Sequence, residues 1–317
     1  MGATVYFSKI NLNSHIIDVC NQEENADQAL RTICDEIIVN FNDGTTYIRE
    51  DEAYKDDDGT VHTYDAVYKL GTIVKHGHEY NNAISGAIYK ESRIFYKEMN
   101  TEGILVNKSV KNHEVITFYY DVYKEIVGFY TTNRFGYKEF NEAFKEILNK
   151  CMYKEGEPKD TQYYFNVELY KKGLKLEQVR SDIKKLGKIK TLKVDIPLPN
   201  ANKEILNKIK TGEALVNAMQ VANVTEKSTL LVSRAKGGMD LDSDVVNEPL
   251  CEVEHIHPLI SGEEALNKGY AAVTAETPDG IEYTTKEQKP LKVNISDEDK
   301  SRGGFTDVCK KLIASMF

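Results

Sequence analysis

Apolar positions along the chain fall into two patterns, and each predicts its own kind of element. Over Thr4 to Leu12, Val5, Phe7 and Ile10 lie among polar neighbours, which predicts a strand with imperfect alternation. Leu30, Ile33, Cys34 and Ile37 follow the i, i+3, i+4, i+7 spacing of a helix face, so residues 26–39 are expected to form an amphipathic helix ended by Asn42-Asp43-Gly44. From Val61 to Phe129, Val, Ile, Tyr and Phe come in short runs with turns between them. Ala66-Val67-Tyr68-Lys69-Leu70, Ile94-Phe95-Tyr96, Ile104-Leu105-Val106 and Val115-Ile116-Thr117-Phe118-Tyr119-Tyr120 are examples. They predict a string of strands, with Asp56-Asp57-Asp58-Gly59 as a hairpin tip. Glu125–Phe129 is a further strand. Phe140, Phe144, Ile147 and Leu148 then mark the buried face of a helix over 137–151.

Gly156-Glu157-Pro158 breaks the pattern and is the expected domain boundary, giving domains 1–156 and 157–317. Beyond it come a strand over Tyr163–Tyr170 and a helix near 174–186, with Val179, Ile183 and Leu186 inward. A strand over Leu192–Ile196 follows, stopped by Pro197 and Pro199, then two short helices over 202–210 and 213–222 and a strand over Thr229–Val232. Tyr270–Glu276 and Gly280–Thr285 make a hairpin around Pro278-Asp279-Gly280. A last helix places Phe305, Val308, Cys309, Leu312 and Met316 on one face. Strands and helices are mixed rather than strictly alternating. The expected class is α+β, in two domains, each a mixed or antiparallel sheet with packed helices.

Composition narrows the class without naming a reaction. The 317 residues are 41% hydrophobic and 29% charged, with 19 Tyr, 11 Phe and no Trp. That excludes a disordered chain, a collagen-like chain and a coiled-coil rod. No apolar run is long enough to span a bilayer. The opening Met1-Gly2-Ala3-Thr4-Val5-Tyr6 lacks the basic and apolar regions of a signal peptide, and Tyr6 stands where a myristoylation site needs Ser or Thr. The five cysteines, Cys20, Cys34, Cys151, Cys251 and Cys309, are odd in number and widely spaced, with no CxxC. Free thiols and a cytoplasmic location are expected.

Charge changes the picture most. The chain carries a net −9, yet Lys171 to Lys210 holds twelve basic residues against four acids, a net of +8 that leaves −17 for the remainder. Asp240 to Asp299 has fifteen acids against four lysines. Crowded like charges repel, and an anionic partner relieves the repulsion. On the predicted helix near 174–186, Arg180, Lys184 and Lys188 at i, i+4 and i+8 would make one cationic stripe. Arg234-Ala235-Lys236-Gly237-Gly238 is a flexible basic turn. The plainer reading is an ordinary solvated helix face.

Other chemistry is thin. No GxxxxGK[ST], GxGxxG, GxSxG or HExxH occurs. His76-Gly77-His78 and His255-Ile256-His257 have strand spacing for metal ligation, but no second cluster matches them, and loop or surface histidines are the simpler reading. Pro278-Asp279 followed by Glu287-Gln288-Lys289 has the residue order of a metal-dependent PD-(D/E)xK nuclease. Pro278-Asp279-Gly280 is equally a good turn. Phe118, Tyr119, Tyr120, Tyr123, Phe129 and Tyr130 could stack bases or fill a core, and Arg134 just after them could touch a phosphate.

One resemblance gathers these signals. Ile126-Val127-Gly128-Phe129, then Phe135-Gly136, a helix, a strand, a basic helix and the strand Thr191–Ile196 resemble the RexA-like phage-exclusion proteins in element order. Ala271-Ala272-Val273-Thr274-Ala275-Glu276-Thr277-Pro278-Asp279-Gly280 resembles that family's penultimate hairpin. Residues 1–110 are unmatched, and the similarity is one of element order more than identity. Related proteins, including the Kiwa B component, occur in bacterial anti-phage defence operons. The resemblance implies a non-catalytic, homodimeric DNA-binding protein that senses phage DNA, with no cofactor or metal. It also implies a membrane-protein or effector partner from the same operon. The DNA-facing residues implied by position are Lys184, Lys185, Lys188 and Lys190.

Charge and resemblance together make Arg180, Lys184, Lys185, Lys188, Lys190, Lys193, Arg234 and Lys236 the candidate nucleic-acid-binding set, holding phosphates without base readout. The strongly acidic remainder of the chain would confine duplex binding to one groove. Two alternatives stand beside this reading. One is a metal-dependent nuclease using Asp279, Glu287 and Lys289. The other is an acidic protein-interaction module, phage-encoded and anti-defence, whose basic stripe pairs with an acidic partner.

Overall fold

A computed structural model describes residues 3–12, 26–55, 59–77, 82–158, 162–198, 215–256 and 260–316, and it adds helices over Asp244–Glu252 and Gly262–Asn267 and a strand over Lys292–Ile295 to the expected elements. In chain order the elements are β1 (Ala3–Leu12), α1 (Ala26–Asn40), β2 (Thr46–Lys55), β3 (Val61–His76), β4 (Ala83–Met99), β5 (Leu105–Asp121), β6 (Ile126–Tyr130) and α2 (Tyr137–Met152). There follow β7 (Phe165–Leu169), α3 (Leu176–Lys185), β8 (Thr191–Pro197), α4 (Leu215–Val221), β9 (Glu226–Val232), α5 (Asp244–Glu252) and α6 (Gly262–Asn267). The last are β10 (Ala272–Glu276), β11 (Glu282–Thr284), β12 (Lys292–Ile295) and α7 (Arg302–Met316). The class is α+β, as expected. The helix expected over 202–210, the acids Asp56-Asp57-Asp58, and His78, His257 and Cys20 lie outside the described residues.

Two compact units emerge from the packing. One comprises Met1–Val5, Asp35–Tyr153 and Val293–Phe317; the other comprises Tyr6–Cys34 and Lys154–Lys292. The boundary expected at Gly156-Glu157-Pro158 lies beside the passage from Tyr153 to Lys154. The C-terminal helix, expected in the second domain, belongs to the first unit.

The first unit is built on the antiparallel run β2-β3-β4-β5-β6. Its core is aromatic. Phe41, Phe118, Tyr120, Phe129, Phe140 and Phe144 are fully buried, and the Phe129 and Phe140 rings stack with centroids 3.8 Å apart. Each such side chain contributes on the order of 1.5–3 kcal/mol when buried. The aromatic set that could have stacked bases is therefore largely core. Tyr119 is also buried, and Tyr123 donates to Asp35.

Two expectations need correction here. The runs between Val61 and Asp121 are not short strands: β3, β4 and β5 span 16, 17 and 17 residues. The ladder between β4 and β5 continues from Ala83↔Asp121 to Met99↔Leu105, so backbone pairing carries the strands through polar stretches that no core holds. On α7 the buried stripe is Phe305, Cys309 and Ile313, while Met316 is exposed. The helical period returns position 316 to the face of Phe305, so its exposure comes from its place as the last residue of α7, where the buried stripe has already ended.

The second unit holds the antiparallel sheet β11-β10-β8-β9 and the ladder between β1 and β7. Leu192, Val194 and Ile196 of β8 and Val273 and Ala275 of β10 face one shared core. Leu176, Val179 and Ile183 of α3, Val246 and Leu250 of α5, and Ala265 and Leu266 of α6 pack into it. Alternation sends Thr191, Lys193 and Asp195 of β8 to the opposite face of the sheet.

A candidate anion-binding hollow

The basic helix ends sooner than its charge pattern suggests. Gly187 takes φ +86°, and its N–H bonds to the Lys184 carbonyl, so α3 stops at Lys185. A left-handed glycine after the last turn is a common helix stop. Lys188 therefore lies beyond the helix, and the expected stripe of Arg180, Lys184 and Lys188 does not form.

Instead, the short segment after Gly187 is held on two sides. Lys190 N–H bonds to the Glu276 carbonyl at the end of β10, at 2.8 Å. On the other side, Ser233 N–H bonds to the Lys190 carbonyl at 2.8 Å and Met239 N–H to the Ile189 carbonyl at 2.9 Å. Ile189 is completely buried, which sends its neighbours Lys188 and Lys190 the other way. The loop after β9 runs so close that a Cβ on Gly238 would sit 3.0 Å from Ile189 N and 3.1 Å from Lys188 Cα. Gly238 also has φ +82°, a region costly to any other residue. Glycine there lets the Arg234–Lys236 turn lie against the Lys188–Lys190 segment.

The result is an open hollow of about 580 Å³ walled by Lys188 and Lys190, by Arg234 and Lys236, and by Thr277, Pro278 and Asp279 of the β10–β11 turn. Four cations face it with one acid, Asp279. Lys190 also has Glu276 at 3.8 Å. Among the described residues no carboxylate pairs with Lys188, Arg234 or Lys236. Unneutralised cations around a concave surface concentrate positive potential there.

The other four candidates are engaged elsewhere. Arg180 donates to Asn247 Oδ1 at 2.6 Å and to Cys251 Sγ at 3.4 Å. Lys184 pairs with Asp242, and Lys185 with Asp182 at 2.8 Å. The Lys185 bond holds the Asp182 carboxyl below its ordinary range. Lys193 pairs with Asp195 at 2.8 Å, and Ser228 donates to the same carboxylate at 2.6 Å. Burial works against ionisation of Asp195, but Lys193 and Ser228 outweigh it and lower its pKa. Of the remaining lysines in the basic segment, Lys171 is buried, and desolvation pushes its ammonium pKa down. Lys203, Lys208 and Lys210 lie outside the described residues.

The nuclease constellation is not brought together. Asp279 sits in the β10–β11 turn on the hollow, whereas Lys289 donates to the Gly173 carbonyl at 3.0 Å and does not line it. Among the described residues no group of three His, Cys, Asp or Glu side chains could hold a metal ion. The Arg134 carbonyl accepts from Lys90 Nζ at 2.8 Å.

Sequence reasoning missed the part of the β10–β11 turn in the hollow, since Pro278-Asp279-Gly280 read only as a turn or a nuclease acid. It also missed a charge network in the first unit. Arg49 binds Asp51, Glu139 and Glu142 there, at 2.5, 3.0 and 2.8 Å. Lys90 Nζ lies 2.7 Å from Glu139, and Tyr68 donates to the same carboxylate. Tyr47 donates to Glu142 at 2.8 Å, and burial with that acid pushes its pKa up to about 12. No contiguous signal marks this network, whose members come from β2, β3, β4 and α2.

No protein-family model matches the chain, and no curated protein is similar to it. No helix among the described residues is long and apolar enough to cross a membrane.

Proposed function

We propose that the chain is a non-catalytic polyanion-binding protein and that the polyanion is DNA, held by its phosphates at Lys188, Lys190, Arg234 and Lys236. The observation that supports this reading is the hollow itself, where four cations from two segments face one acid. Among the described residues no aromatic side chain lines it, so the contacts expected are to phosphates rather than to stacked bases. The phage-defence setting, the homodimer and an operon-encoded membrane or effector partner rest on the resemblance to RexA-like proteins, the cytoplasmic location rests on the cysteine pattern, and all belong to the same proposal.

The test is a salt titration of duplex DNA binding by fluorescence anisotropy. Four phosphate contacts predict a slope of log K against log salt of about −3.6. The double variant Lys188→Glu, Lys190→Glu is expected to bind about 100-fold more weakly at low salt, with the slope reduced to about −1.8. The triple variant Lys184→Gln, Lys185→Gln, Lys193→Gln is expected to bind within about threefold of the parent, because those ammonium groups are already paired. Absence of duplex binding at low salt, or equal weakening by both variants, would end this reading. Competition by polyglutamate as strong as by DNA would favour an acidic protein partner instead.

A further inference from the structure

A second cavity in the same unit calls for a different ligand. It measures about 130 Å³ and lies between α3, β8 and α5. Ile183, Leu192, Leu241 and Leu250 form its apolar wall, and the first, second and fourth of these are buried. Arg180, Lys184, Asp242 and Asn247 form its polar side. We propose that this cavity is a binding site for a small aliphatic monocarboxylate, with Arg180 as the carboxylate anchor.

Three observations carry the assignment. Arg180 has only neutral partners among the described residues, Asn247 Oδ1 and Cys251 Sγ. A guanidinium presents five N–H donors, so two such bonds leave donors for a planar carboxylate, its best-matched partner. Charge sets the valence. Arg180 and Lys184 against Asp242 leave one net positive charge, which suits a monoanion better than a phosphate monoester. Volume sets the tail. A cavity near 150 Å³ takes a benzene-sized group, so a branched or straight tail of about four carbons fits here. The Lys184–Asp242 pair lies at the rim, 50% and 79% exposed, so Arg180 is the cation left without a carboxylate partner among the described residues. Arg180 thus lines a separate site from the phosphate hollow, and this inference does not rest on DNA binding.

The probe is isovalerate, titrated into the full chain and followed by calorimetry and amide chemical shifts. Acetate and 3-methylbutan-1-ol serve as controls that lack the tail and the charge respectively. Isovalerate is expected to bind at least tenfold more tightly than either control. Arg180→Gln should weaken it at least tenfold, and Leu250→Phe, which fills the cavity, should abolish it. Lys188→Glu, Lys190→Glu should leave it unchanged. Should Arg180→Gln fail to fold, Lys184→Gln, at an exposed position, is expected to weaken isovalerate about threefold. Isovalerate binding no tighter than the alcohol, or undiminished in Leu250→Phe, would overturn the assignment.

Discussion

The Arg49 network of the first unit and the hollow of the second both gather charged side chains from separate elements, but they end in opposite states. Around Arg49, three carboxylates meet two cations and three tyrosine hydroxyls, and every charge has a partner. Around the hollow, Lys188, Arg234 and Lys236 have no carboxylate partner among the described residues. A closed network spends its electrostatics on its own fold, while an open one keeps them for a ligand. Charge density alone does not distinguish the two. What does is whether the counter-charge is built into the protein.

The largest effect expected from this contrast lies in the closed network. Glu139 is 16% exposed and accepts from Arg49, Lys90 and Tyr68, and Lys90 is 9% exposed. Glu139→Ala would leave the Lys90 ammonium buried without its carboxylate, and a cost of about 3 kcal/mol is expected in urea denaturation. DNA affinity, corrected for the folded fraction, should not change. A loss below about 0.5 kcal/mol would mean that the network is no more than a surface ion pair.

Next comes Gly238, where the hollow is assembled. An alanine there meets both the φ +82° backbone and the 3.0 Å approach to Ile189 N, so the loop after β9 must retreat. Gly238→Ala is expected to cost about 1–2 kcal/mol and to weaken DNA binding about tenfold without removing a charge. Unchanged binding would show that the Arg234–Lys236 turn need not lie against Lys188 and Lys190.

How much of this was legible in the sequence depends on how local each cause is. The α3 and α2 helices and strand β8 could be read because their apolar periodicity is written in consecutive residues. Pro197, the last residue of β8, stops that strand where expected. The cationic stripe misread a local cause, since Gly187 ends α3 before Lys188 can join it. The pairing of Lys184 with Asp242 and of Arg180 with Asn247 could not be read at all. Their partners lie 58 and 67 residues away and are set by how α5 packs. Lys188, Lys190, Arg234 and Lys236 were legible as basic residues, but not as one wall. Two backbone hydrogen bonds across more than forty positions bring them together.

The smallest effect is the most discriminating for the paired half of the basic set, and it is a pH effect. Asp195 in the folded chain has a pKa below its ordinary 3.8 because Lys193 and Ser228 outweigh the burial that opposes them. A carboxyl whose folded pKa is depressed adds stability above its unfolded pKa and loses it as pH falls through the folded value. Asp195→Asn keeps the side-chain shape but removes the charge that Lys193, 44% exposed, is paired with. The expected cost at neutral pH is therefore modest, about 1 kcal/mol. The gap between parent and variant should hold from neutrality down to the ordinary carboxylate range, narrow below it, and close once the folded carboxyl is protonated. Charge-removing variants of Lys188, Arg234 and Lys236 should show no such acid-dependent gap, since none of them is paired with a carboxylate among the described residues. A gap that persists unchanged into acid for Asp195→Asn would mean that Ser228 packing, not the Lys193 charge, holds Asp195. The paired and unpaired lysines would then differ less than their geometry indicates.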